Sequence, residues 1–287
     1  MNKFGQILFY PQQGEDSFRT YIKTSAVECL ADFFHYLLIH TVKTTKHKPH
    51  FVVAADCAPY LVNQLRKSMA ADLCTVTTVD LRADTLVNIS LIKTYKHTMA
   101  IFINYLSPAG AINNVLEISK LAKEYNILLA CNISGFFPQH EINILALGID
   151  LYTFETATEL GQQICVMGIR EGHINSYSMH DYGAPPSISK SLVKMALKNM
   201  KQYNAEDIHK LNLFKRGFMK FIAPAVASDG GPLETPPDIL LFNSKKEPIA
   251  KCLTRFADND LMRLNISVDI EKKTITDIIK EYGKATE

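Results

Sequence analysis

The sequence predicts an α/β fold: a mostly parallel, doubly wound sheet in a large domain over residues 1–180, then a long helix and a small α+β domain over residues 181–287. Three observations point there. Short β-rich runs alternate with longer helical patterns through the large domain, and such alternation implies βαβ crossovers with helices covering both sheet faces. From Ser176 the texture changes, with a turn-rich connection at Tyr182-Gly183-Ala184-Pro185-Pro186 leading into a helical stretch with few breakers. The length of 287 residues, 47% of them apolar, suffices for one large core and a smaller one.

The elements follow in order. A strand at Ile7 to Tyr10 precedes a helix over Ser25 to Leu38, and Phe51 to Ala55 is the next strand. A helix at Ala58 to Met69, a strand at Cys74 to Val79, a helix at Ala83 to Thr94 and a strand at Met99 to Tyr105 continue the alternation. Then come a helix at Ala111 to Tyr125, a strand at Ile127 to Asn132, a short helix near Glu141 to Gly148, and strands at Leu151 to Phe154 and Gln163 to Ile169. The long helix is expected from Ile188 to about Phe221. The end domain takes a strand at Ile239 to Phe242, a helix around Pro248 to Phe256, a strand at Met262 to Ser267 and a helix from Thr274 to Tyr282. There is no internal repeat and no low-complexity tract.

Composition excludes several function classes. Lys and Arg number 31 against 29 Asp and Glu, a net charge of +2, so no field spanning the chain draws it to nucleic acid or anionic lipid. The basic run Lys43-Thr44-Thr45-Lys46-His47-Lys48 reads as a solvated connection. No segment approaches the roughly 20 apolar residues of a membrane helix, and the amino end lacks a signal peptide's apolar stretch. The six cysteines are dispersed, with no C-x-x-C pair, and read as the reduced, buried thiols of a cytoplasmic protein. None of the nine histidines forms an i, i+4 pair, so no metal site is expected.

Five strings stand out by their order and spacing. They are Phe9 through Ser17, which contains Gln13 and Gly14-Glu15; Ser107-Pro108-Ala109-Gly110-Ala111-Ile112; Asn132-Ile133-Ser134-Gly135, with Asn143 beyond it; Gly148-Ile149-Asp150-Leu151, followed by a strand, a turn at Gly161 and a second strand ending Met167-Gly168-Ile169-Arg170; and Arg263-Leu264-Asn265-Ile266. Together they resemble the class V aminotransferase and cysteine desulfurase (NifS-like) family, whose enzymes hold pyridoxal phosphate (PLP) on a lysine. The likeness covers nearly all of the chain. It implies a PLP-transferase-like large domain, a phosphate-binding turn at Gln13-Gly14, and a late arginine, Arg263, that holds a substrate carboxylate. The family's usual first stretch, which helps form its dimer interface, has no counterpart here; a homodimer remains the implied assembly.

The same resemblance implies that the chemistry is lost. The lysine position reads Thr158, after Ala157, and a hydroxyl can neither form a Schiff base nor shuttle the substrate proton. Asn132, before Gly135, stands where a carboxylate keeps the cofactor ring protonated. Cys57 stands in the turn where a histidine stacks on the ring. Glu155 occupies the place of a small phosphate donor, and two negative charges about 4 Å apart repel by roughly 4 kcal/mol at an effective dielectric of about 20. The mobile-loop cysteine of a desulfurase is missing between Gly230 and Phe242, and Cys252 lies in an apolar context that suits a buried structural thiol.

Two readings of Arg263 stay open, a carboxylate partner within the small domain or capture of a carboxylate ligand. Tyr10, Tyr152 and Phe154 read as core aromatics. Lys123, Lys190 and Lys194 are poor substitutes for the missing lysine, because none follows a core strand. The expectation is a degenerate relative without covalent PLP, which binds a protein partner or a small carboxylate; the alternative is an active PLP-dependent desulfurase or aminotransferase with a displaced lysine. Degenerate members of the family occur, including in large DNA viruses.

Overall fold

The computed structural model describes residues 18–23, 33–34, 37–38, 47–57, 59–157, 163–170, 195, 198, 203–227, 233–256 and 260–283. The chain divides into two compact units. The first comprises residues 1–80, 87–105 and 114–202; the second comprises 81–86, 106–113 and 203–287. The large-domain segments 81–86 and 106–113 therefore cluster with the carboxyl-terminal unit.

The first unit is built on β1 (Phe18–Lys23), β2 (His50–Ala54), β3 (Thr75–Val79), β4 (Thr98–Asn104), β5 (Leu128–Asn132), β6 (Leu151–Ala157) and β7 (Gln163–Arg170), in the sheet order β1-β7-β6-β5-β4-β2-β3. The five strands from β6 to β3 pair in parallel, and β7 and β1 add antiparallel partners at one side. β2 is buried at every position, as a strand between two parallel neighbours must be. Phe51 and Phe102 carry the core to the aromatic pair Phe33 and Phe34, two of the described residues of the expected helix over Ser25 to Leu38. The helices α1 (Pro59–Ala70) and α2 (Val115–Glu124) belong to the same unit.

Local chemistry explains several boundaries. Gly148 turns into β6 at φ +66, and a Cβ there would meet Ser119 Oγ at 2.1 Å. Asp150 Oδ2 accepts from the Leu129 backbone N at 3.0 Å, and the Arg170 backbone N donates to the Asp150 carbonyl at 2.9 Å, so one residue locks β5 and β7 to the start of β6. In β7, Gly168 leaves room for the Tyr152 ring, which is fully buried.

The second unit holds α3 (Ala205–Met219), a three-stranded antiparallel sheet ordered β8 (Ile239–Asn243), β10 (Leu261–Asn265), β9 (Leu253–Phe256), and α4 (Lys272–Tyr282). Strand alternation sorts its core. Leu240, Phe242, Met262 and Leu264 pack with Leu211, Phe218 and Ile278 on one face. Ile239, Leu241 and Leu261 pack with Leu86, Ala109 and Ala111 on the other.

Several expected elements differ. The helix expected at 83–94 is a turn with one short 3-10 segment at Ile89–Leu91: Asp84 Oδ1 takes the Leu86 backbone N, Asp84 also pairs with Arg82, and Thr85 adopts φ +67. Residues 141–148 form turns, not a helix. The long helix is interrupted at Tyr203 and Asn204, where Asn204 and Asp207 form a reciprocal capping box that starts α3. The helix expected at 248–256 gives way to β9, whose Arg255 reaches Glu247 and Asp260. β1 had no expected counterpart, and the strand at Ile7 to Tyr10 lies outside the described residues.

Candidate functional site

Ligands of doubly wound sheets gather at the carboxyl ends of the parallel strands. At those ends the chain places polar side chains that bond to one another and to nearby backbone groups. Asn104, last in β4, donates from Nδ2 to the Asp56 backbone oxygen at 2.8 Å. Asn132, last in β5, donates from Nδ2 to Asn104 Oδ1 at 3.2 Å, and its own Oδ1 accepts from the Ser134 backbone N at 3.1 Å. Ser134 Oγ in turn accepts from the Glu155 backbone N at 3.0 Å, tying the turn after β5 to β6. Gly135 closes that turn at φ +82, a conformation glycine adopts without a Cβ penalty.

Asp56 and Cys57 follow β2. Both Asp56 carboxyl oxygens are shielded from solvent, and among the described residues neither has a donor in hydrogen-bond geometry. Burial raises the Asp56 pKa, while the Asn104 amide beside it works in the opposite direction. The Cys57 thiol is buried and donates to the Phe102 carbonyl at 3.3 Å, which points it into the sheet. Burial, and then the Asp56 charge, push its pKa well up, and burial does the same to Cys131. Neither thiol is poised as a nucleophile. Phe136 packs on Tyr105 at 4.7 Å and Phe137 on Phe154 at 4.6 Å, and both rings are buried.

PLP of the family type needs a carboxylate at the ring nitrogen and an aromatic or imidazole face over the ring. At the positions that the resemblance assigns to these two roles, the residues present do not fit. The Asn132 amide is neutral and bonded at both ends, and the Cys57 thiol is turned to a backbone carbonyl. Ala157 ends β6 opposite Gln163, while Gln13, Gly14 and Thr158 lie outside the described residues. Lys123 is exposed on α2, and Lys190 and Lys194 are not described. Asn143, which the resemblance sets at a family aspartate's position, accepts from the Ala146 backbone N at 3.0 Å.

In the second unit Arg263 is half-buried on β10. Its Nε donates to Asn265 Oδ1 at 2.7 Å. No described residue accepts from its Nη groups within hydrogen-bond distance; burial lowers the Arg263 pKa, and the nearby Asp238 charge works in the opposite direction. Cys252 is partly buried, and burial raises its thiol pKa too. Sequence reasoning singled out Arg263 and Asn132 but missed Asn104, Ser134 and Asn265 as their partners. The available signal was position: each is polar at or just past the end of an apolar strand.

No protein-family model matches the sequence, and no curated protein matches it. Solved structures do. A NifS-like protein from Rickettsia africae ESF-5 superposes with a TM-score of 0.61 at 14% identity, over 92% of this chain and 80% of that one. SspA in complex with cysteine gives 0.58 at 12% identity, over 86% and 81%. DndA from Streptomyces lividans gives 0.54 at 12%, over 78% and 67%. The chain therefore has the NifS-like, class V aminotransferase fold, with the mostly parallel sheet of a PLP-transferase-like large domain. At these identities the likeness is one of fold.

Proposed function

We propose that this chain is a catalytically degenerate NifS-like protein that works by binding, with a small carboxylate ligand captured at Arg263, and that it carries no covalent PLP. The observation that carries this reading is the Asn132 amide, whose nitrogen and oxygen are both satisfied within the protein. A side chain so committed offers no negative charge to a protonated ring nitrogen. Cys57, bonded to the Phe102 carbonyl, supports the same reading, as does the sequence position Thr158. Arg263 supports the binding half: its planar cation keeps a carboxylate-sized edge without an acceptor from the described residues. SspA was solved with cysteine, which makes that amino acid a suitable first probe. The buried thiols suit a reducing, cytoplasmic setting, and the resemblance favours a homodimer.

The test uses the full chain. Titration calorimetry with L-cysteine should show binding that Arg263→Ala removes, and no sulfide should be released. Borohydride reduction of the protein as purified, without added PLP, should leave the intact mass unchanged. A gain of one phosphopyridoxyl group, or sulfide release from L-cysteine, would sink the reading and establish the active alternative.

A further inference from the structure

Strand alternation puts Leu261, Arg263 and Asn265 on one face of β10, the face whose Leu261 packs with Ala109 and Ala111 of the Gly110 loop. Two bonds then fix the guanidinium. Arg263 Nε donates to Asn265 Oδ1 at 2.7 Å, and Asn265 Nδ2 donates to the Cys252 carbonyl at 3.4 Å. The Cys252 carbonyl accepts only, so it turns the amide nitrogen toward itself and leaves the amide oxygen for Nε. The Asn265 backbone N donates to the same carbonyl at 2.8 Å, which holds the asparagine in place.

A guanidinium offers a carboxylate two bidentate edges next to Nη2, one shared with Nε and one with Nη1. The first is blocked here because Nε is engaged. The second meets no acceptor among the described residues, and the guanidinium packs close against the bare Cα of Gly110: a Cβ built there would lie 3.3 Å from Arg263 Nη1, 3.4 Å from its Cζ and 3.0 Å from Ile239 Cδ1. Gly110 holds φ +98, with its N donating to the Ser107 carbonyl at 2.9 Å, so the bare Cα is presented by a defined turn.

We propose that Asn265 is a positioning residue that turns the Arg263 guanidinium, packed against the bare Cα of Gly110, so that its Nη1/Nη2 edge receives a planar carboxylate end-on. This rests on Arg263 being the carboxylate-binding group proposed above. Asn265 touches no ligand itself. It removes one binding edge and the rotation that would exchange the two.

The experiment measures L-cysteine affinity by calorimetry and the Arg263 Nε–H signal by 15N NMR on the full chain. In the unaltered protein the Nε–H signal should be visible and slow to exchange. Asn265→Ala should abolish that protection and weaken L-cysteine binding about tenfold. Asn265→Asp keeps the shape and an oxygen at Nε but adds a competing charge, and should weaken binding further while keeping Nε–H protected. Asn265→Gln should recover part of the affinity. Affinity within twofold of the original in both Asn265→Ala and Asn265→Asp, with Arg263→Ala still abolishing binding, would overturn the positioning role and leave the carboxylate site standing. Unchanged affinity in Arg263→Ala would overturn the site, and this inference with it.

Discussion

Asn132 and Asn104 are joined side chain to side chain at the carboxyl ends of adjacent parallel strands, with Nδ2 of the first donating to Oδ1 of the second at 3.2 Å. That bond sets the orientation of both amides, because Asn104 must then donate with its nitrogen, as it does to the Asp56 carbonyl. A single chain of polar contacts thus runs from β2 through β4 to β5.

This pairing predicts how rescue of PLP binding fails. On the proposed reading, Thr158→Lys supplies the amine but leaves Asn132 neutral and Glu155 in the phosphate donor's place, so no visible absorption band should develop with micromolar PLP. Thr158→Lys with Asn132→Asp and Glu155→Ser should bind PLP weakly and still release no sulfide, since no loop cysteine is present. A strong visible band in the single variant would show that the loss is confined to the lysine.

Gly168→Ala should destabilise the first unit by about 3 kcal/mol, because overpacking a filled site forces buried neighbours apart. The added Cβ would lie 2.2 Å from the Tyr152 ring, and that ring is fully buried. Urea unfolding measures the loss. Gly168→Ala combined with Tyr152→Leu should recover part of it, since the smaller side chain vacates the contact.

Much of this architecture was legible in the sequence, and the failures share a cause. β2, β4 and β5 declare themselves as apolar runs whose burial is decided by neighbours on both sides. β9 does not: Leu253-Thr254-Arg255-Phe256 follows Pro248 in a pattern that also suits a helix, and only pairing with β10 decides it. Residues 83–94 have a helix's length, but Asp84 and Thr85 spend their side chains on the local backbone and on Ser107, which Thr85 Oγ1 meets at 2.8 Å. At the candidate site, Asn132 and Cys57 could be singled out because the resemblance supplies an expected type at each position. Their new partners could not, because Asn104–Asn132 and Arg263–Asn265 depend on strand adjacency and side-chain direction.

Gly110→Ala should cost about 2 kcal/mol, since a residue with a Cβ is strained at φ +98. It should also weaken L-cysteine binding, as the methyl group would crowd Arg263 Nη1. Thermal unfolding and calorimetry separate the two effects. A stable variant with unchanged affinity would place the carboxylate away from the Gly110 loop.

The last prediction concerns acid. His50 is buried at the start of β2, with Nδ1 2.8 Å from Thr98 Oγ1 and Nε2 2.9 Å from Thr77 Oγ1, and the Tyr95 and His97 rings lie beside it. Burial, and then the His97 charge, lower its pKa from 6.5 to about 4. The unfolded chain therefore takes up a proton near pH 6.5 that the native protein refuses until about pH 4, so stability contributed by the neutral ring falls as the pH drops through that window. His50→Gln can bridge the same two hydroxyls without titrating. It should be less stable than the unaltered protein at pH 7, and the gap should narrow by up to about 3 kcal/mol by pH 4. Urea unfolding at intervals between pH 7 and pH 4 measures the two curves. Parallel curves would show that His50 takes its proton in the folded protein as readily as in the unfolded chain.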